Sequence, residues 1–266
     1  MTMQAENFAH FERLVETEYS NFDDRVHSVA TPFGIFVTHP GFPTRYDCNQ
    51  LLRCRCRSSE VGAMLTDLQE KCRRAKLPFQ KISGHDPETA RVLDEALPRE
   101  GWRSQRTLVM EFAGNPRLDP NPAVEIRVVD PSHPDLEGLM RENGRLEGAF
   151  AYHRAQWPRL GGEWLVGYLD GKPAGCTGWF LLNGIARYRW VGTREACQRH
   201  GVASSLIRSV QSLPSVRSAD ALTIFVGGWD VGENPVALRL YQKLGFRPVG
   251  FLWEWLKSTG TPSAHF

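Results

Sequence analysis

Gln198-Arg199-His200-Gly201-Val202-Ala203-Ser204 is the stretch on which the reading of this 266-residue chain turns. Ahead of it, Ile185 to Thr193 is a run of strand-like residues; behind it, Val202, Leu206, Val210 and Leu213 recur at helical spacing. A strand, a small-residue loop and a helix in that order leave backbone N–H groups uncovered at the positive end of the helix, a ready seat for phosphate or pyrophosphate. Gly201 and Ala203 let such a ligand come close to the backbone.

Working outward toward the C-terminus, an apolar strand is expected at Leu222 to Val226. Asn234-Pro235 then opens a short helix as N-cap and first-turn proline. Ala237, Leu240, Tyr241 and Leu244 form the apolar face of that helix, and Gly245-Phe246 ends it. With Gln198-x-x-Gly201-x-Ala203 and Asn234-x-x-Ala237-x-x-x-Tyr241-x-x-x-Gly245-Phe246 in this order, the sequence resembles the GNAT superfamily of acyl-CoA-dependent N-acyltransferases. The resemblance covers roughly residues 124 to 257.

The resemblance implies an acyl-CoA cosubstrate, most simply acetyl-CoA, with no metal. Its pyrophosphate is expected on the N–H groups of Arg199, His200, Gly201, Val202, Ala203 and Ser204, with Gln198 as the motif's first residue in the same binding loop, and its pantetheine along the backbone of Val191, Gly192 and Thr193. Asn234 joins this set, as cap, cofactor contact or both. The family splays the strand entering the loop from the one at Leu222 to Val226, and an N–H near Val191 then polarises the thioester carbonyl and stabilises the oxyanion. Tyr241 stands where the family's usual general acid stands and is the expected proton donor to the leaving thiolate; as part of an apolar helix face it also reads as core. His200 is read as a loop residue rather than a base.

The chain departs from the family pattern where many members carry a carboxylate, because Ile185 to Thr193 offers Arg187, Tyr188 and Arg189. The general base is therefore unassigned, with Glu147 and Asp230 as the carboxylates to test first. Phe150, Trp157, Trp179, Trp190 and Trp229 lie in stretches that line an acceptor pocket or fill the core. Arg187 or Arg189 is placed to meet an acceptor carboxylate. Acceptors from small amines to amino acids, peptides and protein N-termini stay open, as does a monomer or homodimer.

The expected fold is α+β, layered α/β/α, with two GNAT-like domains whose mixed, mostly antiparallel sheets are flanked by helices. The second half starts with strand Val124 to Val129 and helices near Asp135 to Glu142 and Leu146 to Gln156. A meander follows: Glu163 to Leu169, Pro173 to Phe180 and Ile185 to Thr193, turned by Asp170-Gly171 and Asn183-Gly184. Leu222 to Val226 would add parallel to the last of these.

The stretch from Gly114 to Pro122, rich in proline and asparagine and without apolar period, is the expected boundary. It divides a first domain at 1–114 from a linker at 115–122 and the transferase domain at 123–266. Gly101-Trp102-Arg103 before a strand ending at Glu111 repeats Gly245-Phe246-Arg247 before one ending at Glu254, which reads either as an ancient duplication or as coincidence in a common helix-Gly-aromatic-strand ending. The first half has Leu97 where Tyr241 stands and no Gln-x-x-Gly-x-Ala loop, so it is expected neither to bind acyl-CoA nor to catalyse. Its own elements read as a helix over 6–19, strands at Phe33 to Thr38, Leu51 to Arg57, Phe79 to Ile82 and Thr107 to Phe112, and helices from Val61 to Ala75 and from Asp86 to Leu97.

Six cysteines contain no C-x-x-C pair; Cys54 and Cys56 alternate with Arg53, Arg55 and Arg57 as on a half-buried strand. Core thiols are therefore preferred to a zinc site from Cys48, Cys54, Cys56 and Cys72, and loop packing to a nucleophilic Cys197. A formal net charge of +2 gives no support to nucleic acid as partner, and the basic run from Arg53 to Lys76 reads as solvated surface. No apolar run approaches membrane-spanning length and Met1 to Glu6 has no apolar core, so a cytoplasmic protein without membrane contact is expected. The sequence reading is thus an acetyl-CoA-dependent N-acetyltransferase, with a catalytically silent acyl-CoA-binding sensor or scaffold as its rival.

Overall fold

The computed structural model describes residues 5–20, 22–142, 149–227 and 234–258. Glu147, Gly228, Trp229 and Asp230 lie outside the described residues, as does the start expected at Leu146 for one helix. In chain order the elements are α1 (Ala5–Tyr19), β1 (His27–Thr31), β2 (Gly34–Thr38), β3 (Gln50–Leu52), α2 (Val61–Arg74), β4 (Phe79–Gly84), α3 (Pro87–Ala96), β5 (Arg103–Phe112) and β6 (Val124–Val129). They continue with α4 (Pro134–Glu142), α5 (Ala149–Leu160), β7 (Glu163–Leu169), β8 (Lys172–Leu182), β9 (Ile185–Thr193), α6 (Val202–Ser212), α7 (Pro214–Arg217), β10 (Ala221–Val226), α8 (Pro235–Lys243) and β11 (Phe246–Ser258).

These elements fall into two units that are not the two halves of the sequence. One gathers Met1–Thr17, Val109–Val226 and Asn234–Val249; Glu18–Leu108 and Gly250–Phe266 belong to the other. A cut at 115–122 would be sequential, whereas α1, β5 and β11 each contribute residues to both units. The reason is strand length: β5 has 10 residues and β11 has 13, well beyond a usual strand of five or six.

In the unit containing Val109–Val226, the order β10-β9-β8-β7-β6 is antiparallel throughout except for the parallel pair β9 and β10. Both hairpin turns have φ above zero at each central residue: 51° and 72° at Asp170 and Gly171, 51° and 79° at Asn183 and Gly184. That twist matches paired strands, which is why the two dipeptides are legible as hairpins. α4 and α5 bury Leu136, Leu139, Met140, Phe150, Trp157 and Leu160 against Trp164, Val166, Tyr168 and Phe180. α6 sends Val202, Leu206, Ile207 and Val210 inward, and Tyr188 Oη on β9 donates to Ile207 O at 2.7 Å.

The other unit repeats the pattern, with order β1-β2-β3-β4 followed by β11 and one parallel pair, β3 with β4. Val61, Met64, Leu68 and Cys72 form the buried stripe of α2. Asp86 caps α3 by accepting from Thr89 N at 2.8 Å, as Asn234 caps α8 by accepting from Ala237 N at 2.9 Å. The strand expected over Leu51 to Arg57 stops at Leu52, because Arg53 turns left-handed at φ 53°; beyond it Cys54 and Cys56 remain buried and Arg53, Arg55 and Arg57 exposed. Cys54 N donates to Ser83 O at 3.0 Å and Cys56 N to Thr89 Oγ1 at 3.4 Å, so this backbone lies on β4 and the start of α3. β1 was not legible, since its first four residues are exposed and show no alternation.

A polar cluster sits inside the same unit. Lys81, 1% exposed, is 2.5 Å from Glu254 Oε1 and 4.0 Å from Asp47 Oδ1, with its ammonium 4.7 Å from the Tyr46 ring centre. Glu254 also accepts from Gln105 Nε2 at 2.6 Å. On the surface, Asp67 pairs with Lys71, and Glu70 with Arg73 and Arg74, so much of the basic concentration noted in the sequence is offset locally. Burial pushes the Cys72 thiol up to about 12. Among the described residues no three His, Cys, Asp or Glu side chains converge on a metal-sized point, and no helix is long and apolar enough to cross a membrane.

Candidate active site

The site is built where β9 leaves β10. Their parallel ladder has three pairs, Ile185 with Ala221, Ala186 with Leu222 and Arg187 with Thr223, and then ends. On its other side β9 stays with β8 as far as Thr193 opposite Gly175, but with a register shift between Cys176 and Gly178. Across that shift Gly178 faces Arg189 and Cys176 faces Gly192, so Trp190 and Val191 together oppose Thr177. This is a β-bulge, and its left-handed residue is Trp190, at φ 53°. A bulky side chain there costs on the order of 1–3 kcal/mol relative to a relaxed strand. The bulge turns β9 away from β10 and leaves Val191, Gly192 and Thr193, all half-buried, without a strand on that edge.

After β9 the chain drops through Glu195 to Cys197 and enters the loop with Gln198, Arg199 and His200 exposed. Arg199 and Gly201 are both left-handed, at φ 65° and 75°. Consecutive turns of this kind splay N–H groups outward at the start of α6, where the dipole is positive. Val202 and Ser204 are buried and Ala203 half-buried; Ser204 Oγ donates back to Gly201 O at 2.8 Å. Val202 fits because Gly175 has no side chain: a Cβ there would lie 2.8 Å from Val202 Cγ1 and 2.6 Å from Gly192 O. Cys197 is half-buried at the end of this short turn.

One residue that holds the loop escaped the sequence reading. Asn121, in the stretch taken for a linker, donates from Nδ2 to His200 O at 2.8 Å and from its backbone N to Ser205 Oγ at 2.8 Å. Its own Cβ stands where a side chain at Gly201 would go, 2.9 Å from the ideal Cβ position. Only the spatial return of the chain reveals this contact, because asparagine in a proline-rich stretch reads as turn chemistry. Asn121→Ala is expected to cost about 1 kcal/mol and to lower the thermal midpoint by roughly 2–4 °C, measured by calorimetry. Arg194, next after β9, is held by a two-pronged pair with Glu142 at 2.6 and 2.7 Å.

Tyr241 is 7% exposed on α8, its ring 6.3 Å from that of Phe246. It lies close enough to Tyr188 for the two phenols to influence each other, and burial first, then Tyr241, raises Tyr188 well above the usual tyrosine range. Tyr188 is the first residue of β9 past the end of its ladder with β10. The Phe246 ring lies near both phenols, 5.9 Å from Tyr188 and 6.3 Å from Tyr241, and Asn234 is exposed at the start of α8. Arg187 and Arg189 are buried on the opposite face of β9; the Arg187 guanidinium is 3.8 Å from the Phe225 ring centre and donates to Thr17 Oγ1 at 3.4 Å. Thr193 Oγ1 is buried and has no hydrogen-bond partner among the described residues.

This arrangement matches known proteins. Residues 161–248 match the family model for the acetyltransferase (GNAT) domain. A GCN5-related N-acetyltransferase from Kribbella flavida has a similar structure, with TM-score 0.63 at 16% identity, covering 96% of this chain and 95% of that one. A conserved protein of unknown function from Staphylococcus epidermidis aligns with TM-score 0.67 at 13% identity over 90% and 97%. A tandem GNAT protein from the clavulanic acid biosynthesis pathway aligns with TM-score 0.56 at 14% identity over 94% and 89%. No curated protein matches by sequence. Residues 161–248, which hold the bulged strand, the left-handed loop opening α6 and the Asn-capped helix with Tyr241, thus carry a GNAT acetyltransferase domain, within a mixed α+β fold shared with these solved structures.

Proposed function

We propose that the protein transfers the acetyl group of acetyl-CoA to a primary amine. The observation that carries this reading is the parting of β9 from β10 immediately before a left-handed loop at the start of an 11-residue helix. The residues present fit the cosubstrate. Val191 to Thr193 offer backbone on an open strand edge, Thr193 adds an unused hydroxyl, and Arg199 to Ser204 supply N–H groups with Arg199 as cation, while the Gln198 N–H is held by Glu195 O at 3.1 Å. Asn121 keeps that loop in place. Bound there, acetyl-CoA supplies an activated thioester that a neutral amine attacks directly, with the thiolate leaving.

The chain's own groups have three tasks in this reading. The Val191 N–H serves as donor to the carbonyl oxygen as charge develops on it. Tyr241 holds a proton on Oη for the departing sulfur. α4 and α5, with the β9 face bearing Arg187 and Arg189, form the acceptor side. The region around Cys54 and Cys56 takes no part, because its backbone is already hydrogen-bonded to Ser83 and Thr89 where a cosubstrate would need an open edge.

One observation favours a second reading, a silent acyl-CoA sensor: no carboxylate stands on β9 to serve as base. Acetyl-CoA binding by calorimetry, with free-thiol release over a panel of amines, separates the two. Binding with amine-dependent turnover is expected. Binding without turnover across the panel would favour the sensor, and no binding would overturn both.

A further inference from the structure

The acceptor face of β9 carries an aromatic wall that the fold alone does not require. Trp164 lies across from Gly178 on β7 and β8, and Gly178 lies across from Arg189 on β9, so all three share one face. In an unbroken strand Trp190 would point to the other face. The left-handed bulge instead brings its ring within 5.9 Å of both Trp164 and Phe150. Trp157 extends the row, 4.5 Å from Trp164. Gly178 is obligatory beneath it, since a Cβ there would lie 2.8 Å from Trp157 and 3.0 Å from Trp164.

Three features separate this wall from ordinary core. Trp190 holds a strained backbone where glycine would be relaxed, so its side chain is kept at a cost. Trp190 is half-exposed, whereas Phe150, Trp157 and Trp164 are buried. The indole N–H groups of Trp157 and Trp164 are buried with no acceptor among the described residues, at 6% and 0% exposure. Two buried guanidiniums on the same face, Arg187 and Arg189, disfavour a cationic occupant.

Resting on the acetyltransferase reading, we infer that the acceptor is an amine carried on an apolar, planar body that seats against Trp190 and Phe150. The ring stacks on the half-buried Trp190 indole, next to Val191, whose N–H faces the acyl group in that reading. The nearby guanidiniums favour the neutral amine, the form that attacks, over its ammonium form.

The test compares 2-phenylethylamine with n-butylamine at saturating acetyl-CoA, in wild type and Trp190→Gly. Glycine relaxes the left-handed position, so the variant is expected to fold and to keep its acetyl-CoA affinity. In wild type, kcat/KM for the aromatic amine is expected to exceed that for the aliphatic one by about tenfold. In Trp190→Gly that ratio should fall to within about twofold, through KM. A wild-type ratio near one, or a ratio unchanged by the substitution, overturns the inference. A titration of intrinsic tryptophan fluorescence with each amine, without acetyl-CoA, reads the wall independently of turnover. Preferential quenching by 2-phenylethylamine that Trp190→Gly abolishes supports it even if acetyl-CoA proves not to bind; equal response to both amines overturns it.

Discussion

Tyr241→Phe is expected to lower kcat by on the order of 100-fold to 1,000-fold while acetyl-CoA affinity stays within about twofold of wild type. The substitution removes one oxygen and keeps the ring that packs 6.3 Å from Phe246. Tyr241 is 7% exposed, so the substitution changes a buried position and leaves the surface as it was. If the phenol were only core, phenylalanine would shift the thermal midpoint slightly and leave turnover intact. Free-thiol release and calorimetric binding, measured on the same preparations, distinguish the two. Loss of turnover together with loss of binding would mean that α8 had moved, and would remove the acid assignment.

The largest loss of stability is expected from Lys81→Met, at about 3–5 kcal/mol, seen as a drop of roughly 10 °C in the thermal midpoint. Methionine fills a similar volume but leaves Glu254 buried, with Gln105 as its remaining side-chain donor of those described above. The pH dependence follows from the Lys81 ammonium. Burial opposes its charge, yet the Glu254 and Asp47 carboxylates outweigh burial and raise it above its ordinary 10.5. A raised folded value means that the stabilisation is complete below 10.5 and is lost only as pH climbs through the folded value. The contribution of the Lys81 ammonium to wild-type stability should therefore be constant across neutral pH and fall away in strong alkali. Replacing both partners, Lys81→Met with Glu254→Leu, is expected to recover much of the loss, since no uncompensated carboxylate remains. No recovery would show that the pair does more than satisfy itself.

These two predictions come from opposite ends of what the sequence discloses. The helix that carries Tyr241 was legible because its signal is local: an N-cap, a proline, an apolar stripe and a Gly-Phe stop within 13 residues. The hairpins at Asp170-Gly171 and Asn183-Gly184 were legible for the same reason, as both dipeptides tolerate the backbone they adopt. The Lys81 and Glu254 pair was not, because nothing near either residue announces a partner so far along the chain. Trp190 was singled out as an aromatic residue, but its left-handed backbone is an effect of the β8 and β9 register, and tryptophan gives no hint of it. Asn121 was hidden by its surroundings of proline and asparagine, which describe a turn equally well whether or not it grips a loop.

The passage of α1, β5 and β11 through both units has a consequence for synthesis on the ribosome. The unit built mainly from Glu18–Leu108 is encoded first, yet its β4 pairs with Trp253 to Ser258. Its partner strand and the carboxylate that neutralises Lys81 emerge only after residues 109–245 have been made. Nascent chains halted near Pro122 should therefore remain sensitive to protease throughout that first-made stretch, and become resistant only once β11 has cleared the exit tunnel.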